Sequence, residues 1–280
     1  MRHGVTMFVT DRSMTAADLA RAVEERGLDS LYLPEHTHIP VSRRTPYPLG
    51  GTLPEEYRRT VDPFVALATA AAVTSRIRLG TGVCLVAQRD PIVTAKEVAT
   101  LDLLSGGRFV FGIGVGWNED EAEDHGIDFR KRRSRLREHV LAMQRLWADD
   151  EASFQGAHVH LAPSWAWPKP VQRPRPPIFY GGVASPRLFE HIAEYADGWL
   201  PIGGSGVAAR LPELRAAFER AGRDPATARL VFYGVMPEPG RLDYYRSLGA
   251  EEVVFFLPSA DADTVLPVLD GYAKVVHRAA

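Results

Sequence analysis

The chain has 280 residues, 45% of them hydrophobic and 24% charged, and its 33 basic and 35 acidic side chains leave a net charge of −2. That length can bury one large core and is about what an α/β barrel needs, while the near balance of charge supplies no field that would favour nucleic acid or an anionic membrane surface. The single cysteine, Cys84, excludes an internal disulfide and fits a reducing cytoplasm; the first residues show no signal-peptide core, and no apolar run approaches the ~20 residues that span a bilayer.

Residues 4–9 read as a first strand. Thr15 with Asp18 caps the helix that follows, and Gly27 closes it. Residues 30–34 form strand two, which runs into Glu35, His36, Thr37 and His38 and then a long polar segment to Thr60. Asp62 with Pro63 caps an Ala-rich helix, since proline costs nothing in a first turn. Residues 77–86 give strand three, Asp90 and Pro91 open the next helix, and Ile92, Ala95, Ala99 and Leu103 recur at spacings that mark its apolar face. Gly106 and Gly107 stop it before strand four, residues 108–116, which is apolar on both faces as a covered parallel sheet requires. An acidic stretch precedes a basic run over residues 130–137, read as a solvated helix face, with a phosphorylated ligand as the other reading. Leu136, Val140, Met143 and Trp147 predict the buried side of that helix. Residues 152–177 form an insertion that begins strand-like at Phe154, Val159 and Leu161 and ends rich in proline. Strands at 177–182, 198–202, 229–235 and 252–257 alternate with helices at 206–221, 241–248 and 261–276, with a further helix opened by Ser185 and Pro186. Eight strands in alternation predict a single (β/α)8 TIM barrel over 1–280. Its long segments, 36–61 and 152–177, are expected over the C-terminal face of the strands, as lids or binding loops.

Chemistry in such a barrel belongs at the strand C-termini. Gly80, Gly82, Gly112, Gly114 and Gly116 are concentrated there, either to relieve crowding or to let a flat ligand lie on bare backbone. The last three alternate inside a strand instead of turning into a helix, which argues against a dinucleotide fingerprint. None of the four lysines, Lys96, Lys131, Lys169 and Lys274, falls at a strand end, so a Schiff-base aldolase is excluded. His36 and His38 could imitate a metal pair, but the ends of strands five and six offer no further ligands, and no metal is expected. Ser185 suffices as a helix cap, and the N–H groups beyond Gly181 and Gly182 could also take a phosphate. His36 is either a satisfied polar residue or the group that escorts a proton near neutral pH. Cys84 reads as a small buried residue.

Leu79 to Val83, Asp90 and Pro91, Ser105 to Phe109, Gly112 to Asn118, Ser185 and Pro186, and Asp197 to Trp199 together resemble the bacterial luciferase-like oxidoreductases. Pro34 to Pro40, with Tyr47, Pro48, Gly50 and Gly51, is similar to the branch that uses the deazaflavin coenzyme F420. The resemblance implies a homodimeric barrel with F420, or alternatively FMN, across the strand ends. It implies ring contacts at Gly82, Val83, Cys84, Gly114 and Gly116 and phosphate contacts at Gly181, Gly182 and Ser185. A non-prolyl cis peptide near Gly82–Val83 or Val83–Cys84 is also implied. Some members place a catalytic glutamate just past the strand-four glycines, where this chain has Trp117 and Asn118. The expected activity is hydride transfer between F420 and a small organic substrate, with His36 as proton carrier. His38, Trp117, Asn118, Trp165 and Trp167 are expected to shape the substrate pocket. An FMN-dependent monooxygenase and a non-catalytic flavin-binding protein are the alternatives.

Overall fold

The computed structural model describes residues 1–279. The strands β1 (Arg2–Thr6), β2 (Ser30–Leu33), β3 (Arg78–Thr81), β4 (Phe109–Ile113), β7 (Ile178–Gly181), β8 (Gly198–Leu200), β9 (Arg229–Val235) and β10 (Glu252–Phe256) close a parallel barrel in that order, β10 pairing back onto β1. The helices α1 (Ala16–Glu25), α2 (Pro63–Val73), α3 (Pro91–Leu104), α5 (Arg132–Ala148), α6 (Pro186–Tyr195), α7 (Val207–Arg220), α8 (Pro239–Ser247) and α9 (Ala262–Ala279) form the outer ring. A short helix, α4 (Glu119–Asp124), follows β4, and the hairpin β5 (Ala152–Gln155) and β6 (His160–Ser164) stands apart as a two-stranded sheet. The expected barrel is thus the observed one.

The caps read from the sequence are in place. Thr15 accepts the N–H of Asp18, Asp62 that of Val65, Asp90 those of Ile92 and Val93, and Ser185 that of Leu188. Each satisfies donors that a helix start otherwise leaves orphaned. Leu136, Val140, Met143 and Trp147 are buried, and the Trp147 indole N–H donates to the Ala95 carbonyl at 2.9 Å, tying α5 to α3. The α3 face needs a correction. Its buried residues are Thr94, Ala95, Val98, Ala99, Leu101 and Asp102, whereas Ile92 and Leu103 are about half exposed, at 49% and 48%. The helix is turned so that Asp102 faces inward, where its carboxylate accepts the N–H and side-chain amide of Gln172 at 2.9 and 2.7 Å.

Inside the barrel, Tyr32, Val110, Phe179, Leu200, Val231, Tyr233 and Val254 fill the centre, with Val83 packed on top. The floor is polar: Glu252, fully buried, accepts from Ser30, from the Tyr32 hydroxyl at 3.0 Å and from Arg78 at 3.1 Å. Two glycines are required by close approach. A Cβ on Gly80 would stand 2.4 Å from the Tyr32 ring, and one on Gly112 would stand 2.0 Å from the Thr81 carbonyl oxygen.

The long segments 36–61 and 152–177 lie at different places. Helix α5 runs back against the strand direction, so the connection leaving it starts at the strand N-termini, and residues 152–177 pack on the outer helices instead of over the strand C-terminal face. Lys169 donates to the carbonyls of Leu146 and Asp149 at the end of α5, and Lys96 of α3 donates to the Trp167 carbonyl. Residues 36–61 follow the end of β2, and Arg44 among them pairs with Asp120 and Glu123 of α4, the helix that follows β4.

Gly112→Ala meets immovable backbone and is expected to cost on the order of 3 kcal/mol. Gly114→Ala meets the far end of the Val83 side chain and should cost less. Urea midpoints of the two variants, compared with the parent, check that ranking.

Candidate active site

The end of β2 sends two neighbouring side chains to opposite sides, as strand alternation dictates. Glu35 turns toward β3. Its carboxylate, 2% exposed, accepts the Leu85 N–H at 2.6 Å and the Arg89 Nε at 2.6 Å. The same guanidinium pairs with Asp62 at 2.5 Å and Glu97 at 3.0 Å and lies over the Phe64 ring. Burial works against the Arg89 charge, but Glu35 leads the acids that raise its pKa further above the ordinary arginine value. This clamp fixes the loop after β3. Gly82 N–H donates to the Leu33 carbonyl at 2.8 Å, Cys84 N–H to the Gly112 carbonyl at 2.8 Å, and the Gly114 N–H to the Cys84 carbonyl at 2.9 Å. The Gly82–Val83 peptide is cis, at the first of the two bonds expected. Val83 itself nests against Gly114 and Gly181, whose Cβ atoms would stand 2.5 and 2.9 Å from its methyls.

His36 turns the other way. Its Nδ1 lies 2.8 and 3.1 Å from the two carboxylate oxygens of Glu121 on α4, and both side chains are buried. The imidazole ring is flanked by Tyr57 at 5.3 Å and Trp117 at 5.8 Å between centroids. Burial raises the Tyr57 pKa well above the usual phenol value, so its hydroxyl, 3.3 Å from that of Tyr47, stays protonated. A carboxylate on Nδ1 holds the proton there and selects the tautomer in which Nε2 presents a lone pair. Among the described residues Nε2 makes no hydrogen bond.

The remaining wall is apolar. Val183, Ile202 and Met236, just past the ends of β7, β8 and β9, are 91%, 75% and 51% exposed. Gly116, Gly181 and Gly182 are partly exposed at the same mouth, and Ser185 caps α6 beside them. Other expected contacts fall elsewhere. Gly82 and Gly114 are buried beneath Tyr233 and Val83, so these glycines relieve crowding and Val83 forms the surface a ligand would meet. Cys84 is fully buried with both backbone groups used by β4, and burial, then the neighbouring Glu35, drives its thiol pKa well up. Asn118 is enclosed too, and its amide atoms find no partner among the described residues. Trp165 and Trp167 are 79% and 58% exposed on the outer helix layer, away from the mouth. His38 lies outside the pocket of His36, bonded to Asp124 at 3.0 Å beside His125.

Residues 6–236 match the luciferase-like monooxygenase family. The chain belongs to that family. An uncharacterised protein of Mycobacterium tuberculosis is 44% identical over 267 residues, covering 94% of each chain. The F420-dependent glucose-6-phosphate dehydrogenase of Kineococcus radiotolerans is 32% identical over 219 residues, covering 74% of this chain and 59% of that enzyme. A monooxygenase from Streptomyces bottropensis superposes with a TM-score of 0.81 at 20% identity, covering 99% of both chains, which supports the fold.

In this luciferase-like barrel, reading the sequence missed Glu121, Tyr57 and the Glu35–Arg89 clamp. Glu121 is one of five acids within 119–124, a stretch in which residue type alone singles out no member. Its spacing from Asn118, a cap position followed three residues later by Glu, was an available signal. Asn118 nevertheless makes no side-chain cap bond, and Glu121 turns to His36 instead.

Arg89→Ala leaves Glu35 buried without its counter-charge and is expected to cost about 3–5 kcal/mol. Glu35→Gln in the Arg89→Ala background should restore part of that loss, read from thermal or urea unfolding of the two variants.

Proposed function

We propose that the protein is an oxidoreductase that passes a hydride between bound F420 and a small organic substrate, with His36 carrying the accompanying proton. The observation that carries this reading is the buried His36–Glu121 pair beside an otherwise apolar mouth. A buried proton-handling pair among apolar side chains suits a site in which a bound coenzyme brings the reactivity. The relative named as an F420-dependent dehydrogenase supports that choice of coenzyme. The mouth fits a flat ring: Val83 and Gly116 would lie under it, and Gly181, Gly182 and Ser185, at the start of α6, would hold a phosphate through backbone N–H groups. F420 supplies the hydride-accepting or hydride-donating carbon when bound. The chain supplies the rest. Glu121 holds His36 in one tautomer, Tyr57 and Trp117 fix its ring and exclude water, and Nε2 takes or returns the proton. Trp117, at the edge of the mouth, would face the substrate.

The exposed side of the helix layer supports a homodimer. Ile92, Val93, Leu103 and Leu104 fall on one side of α3, all about half exposed or more, with Val65 of the adjacent α2 at 69%. An apolar strip of that kind on a water-facing layer marks a protein contact. No helix among the described residues is long and apolar enough to cross a membrane.

Titration of the purified protein with F420 and with FMN tests the coenzyme. Tight F420 binding is expected; FMN binding alone would replace this reading with a flavin-dependent monooxygenase, and binding without turnover of any substrate with a carrier. His36→Ala should keep F420 affinity and lower turnover by roughly 10²–10⁴-fold. Glu121→Gln should lower it less and displace the pH profile. Leu104→Glu should convert a dimer into a monomer by light scattering, with unfolding unchanged.

A further inference from the structure

The far end of the barrel carries an unbalanced set of arginines. A cavity of about 390 Å³ opens there, between the strand starts and the connection into β7, bordered by Arg2, Arg78, Arg108, Arg173, Arg175 and Arg229 and by one carboxylate, Asp197. Behind this wall a single side chain, Glu251, serves three cations: Arg2 at 2.9 Å, Arg78 at 3.2 Å and Arg229 at 2.6 Å. Arg78 also reaches the buried Glu252, and Arg175 is paired with Asp197 at 2.5 Å. Arg108 spends its donors on the carbonyls of Ala71, Thr74, Ile77 and Ser105 and on the Thr74 hydroxyl. Arg173 is exposed and has no hydrogen-bond or ion-pair partner among the described residues.

Six guanidinium groups therefore stand against three carboxylates, in a chain whose net charge is −2. Burial raises the pKa of Glu252, whereas at Glu251 the neighbouring Arg229, Arg78 and Arg2 outweigh burial and lower it. Holding the barrel floor together accounts for Arg78, Arg108 and Arg175. It does not account for Arg173, nor for the unused N–H groups of Arg2 and Arg229.

We propose that this cavity binds a diphosphate group, as free pyrophosphate or as part of a nucleotide, at a site separate from the mouth. A diphosphate carries roughly three negative charges near neutral pH and so matches the excess, which a single carboxylate would leave mostly uncancelled. Planar guanidinium forks meet phosphate oxygens two at a time, and that geometry is what distinguishes arginine from lysine in such sites. The opening lies at the strand N-termini, whereas the mouth lies at their C-termini; five residues of strand separate the two by about 17 Å. A ligand here leaves the mouth free.

The test is calorimetric titration of the full chain with pyrophosphate at constant ionic strength, so that general screening is held fixed. Saturable binding is expected, weakened at least about tenfold by Arg173→Glu, an exposed and unpaired position, and similarly by Arg2→Gln. The site is overturned by no saturable heat, by full affinity in both arginine variants, or by competition from F420 or FMN, which would place the anion at the mouth. Titration with ATP separates the two sources: tighter binding than pyrophosphate points to a nucleotide and weaker binding to free diphosphate, and either ranking supports the site.

Discussion

A carboxylate taken out of water at the end of one strand sets the geometry of the mouth. Glu35 is almost wholly enclosed, and in that setting it must be matched by a cation and by donors for its remaining lone pairs. Arg89 and the Leu85 N–H supply them. Because Arg89 is anchored at the same time to α2 through Asp62 and to α3 through Glu97, the loop after β3 is fixed to two helices and a neighbouring strand. Val83 is thereby held over the interior core, with Gly114 and Gly181 left bare to receive it. The next residue in the chain, His36, inherits its placement from this clamp. Its backbone is pinned by the same strand end, so only the ring needs a further support, and Glu121 provides it.

The two ends of the barrel hold charge differently. At the strand C-termini the buried ionisable groups are matched closely, His36 with Glu121 and Glu35 with Arg89, and Val183, Ile202 and Met236 present apolar surface nearby. At the N-termini the strands begin with Arg2, Arg78, Arg229, Glu251 and Glu252, a dense network in which cations outnumber acids. Between them lies a buried layer of Tyr32, Tyr233, Phe179 and branched apolar side chains, with the Thr6 and Tyr233 hydroxyls bonded to each other at 2.5 Å. That layer insulates one end from the other.

The architecture was legible because local signals agree with the global fold: Asp or Ser followed by proline opens α2, α3 and α6, and the apolar strands are too short and too uniform for anything but a covered parallel sheet. The place of His36, just past β2, was legible because the strand that ends before it is mostly apolar. The partners of His36 were not. Glu121 is 85 positions away, and nothing in a run of acids says which one turns inward. The glycines misled in part, since Gly82 and Gly114 make room for side chains of this chain. Trp165 and Trp167 misled for a different reason. A proline-rich stretch with aromatics has the composition of a lid wherever it stands, and its side of the barrel follows from helix direction, which composition does not encode.

The hairpin formed by β5 and β6 leaves the barrel between a helix and the following strand, and its ends return to that junction. It is pinned sideways, by Glu138 of α5 accepting the N–H groups of Ala157, His158 and Val159. The tip is therefore a closed turn: lengthening it would strip the Glu138 carboxylate of three donors, and a side chain at Gly156 would meet that carboxylate at 2.3 Å, so the appendage keeps its own shape through one acid on the helix behind it.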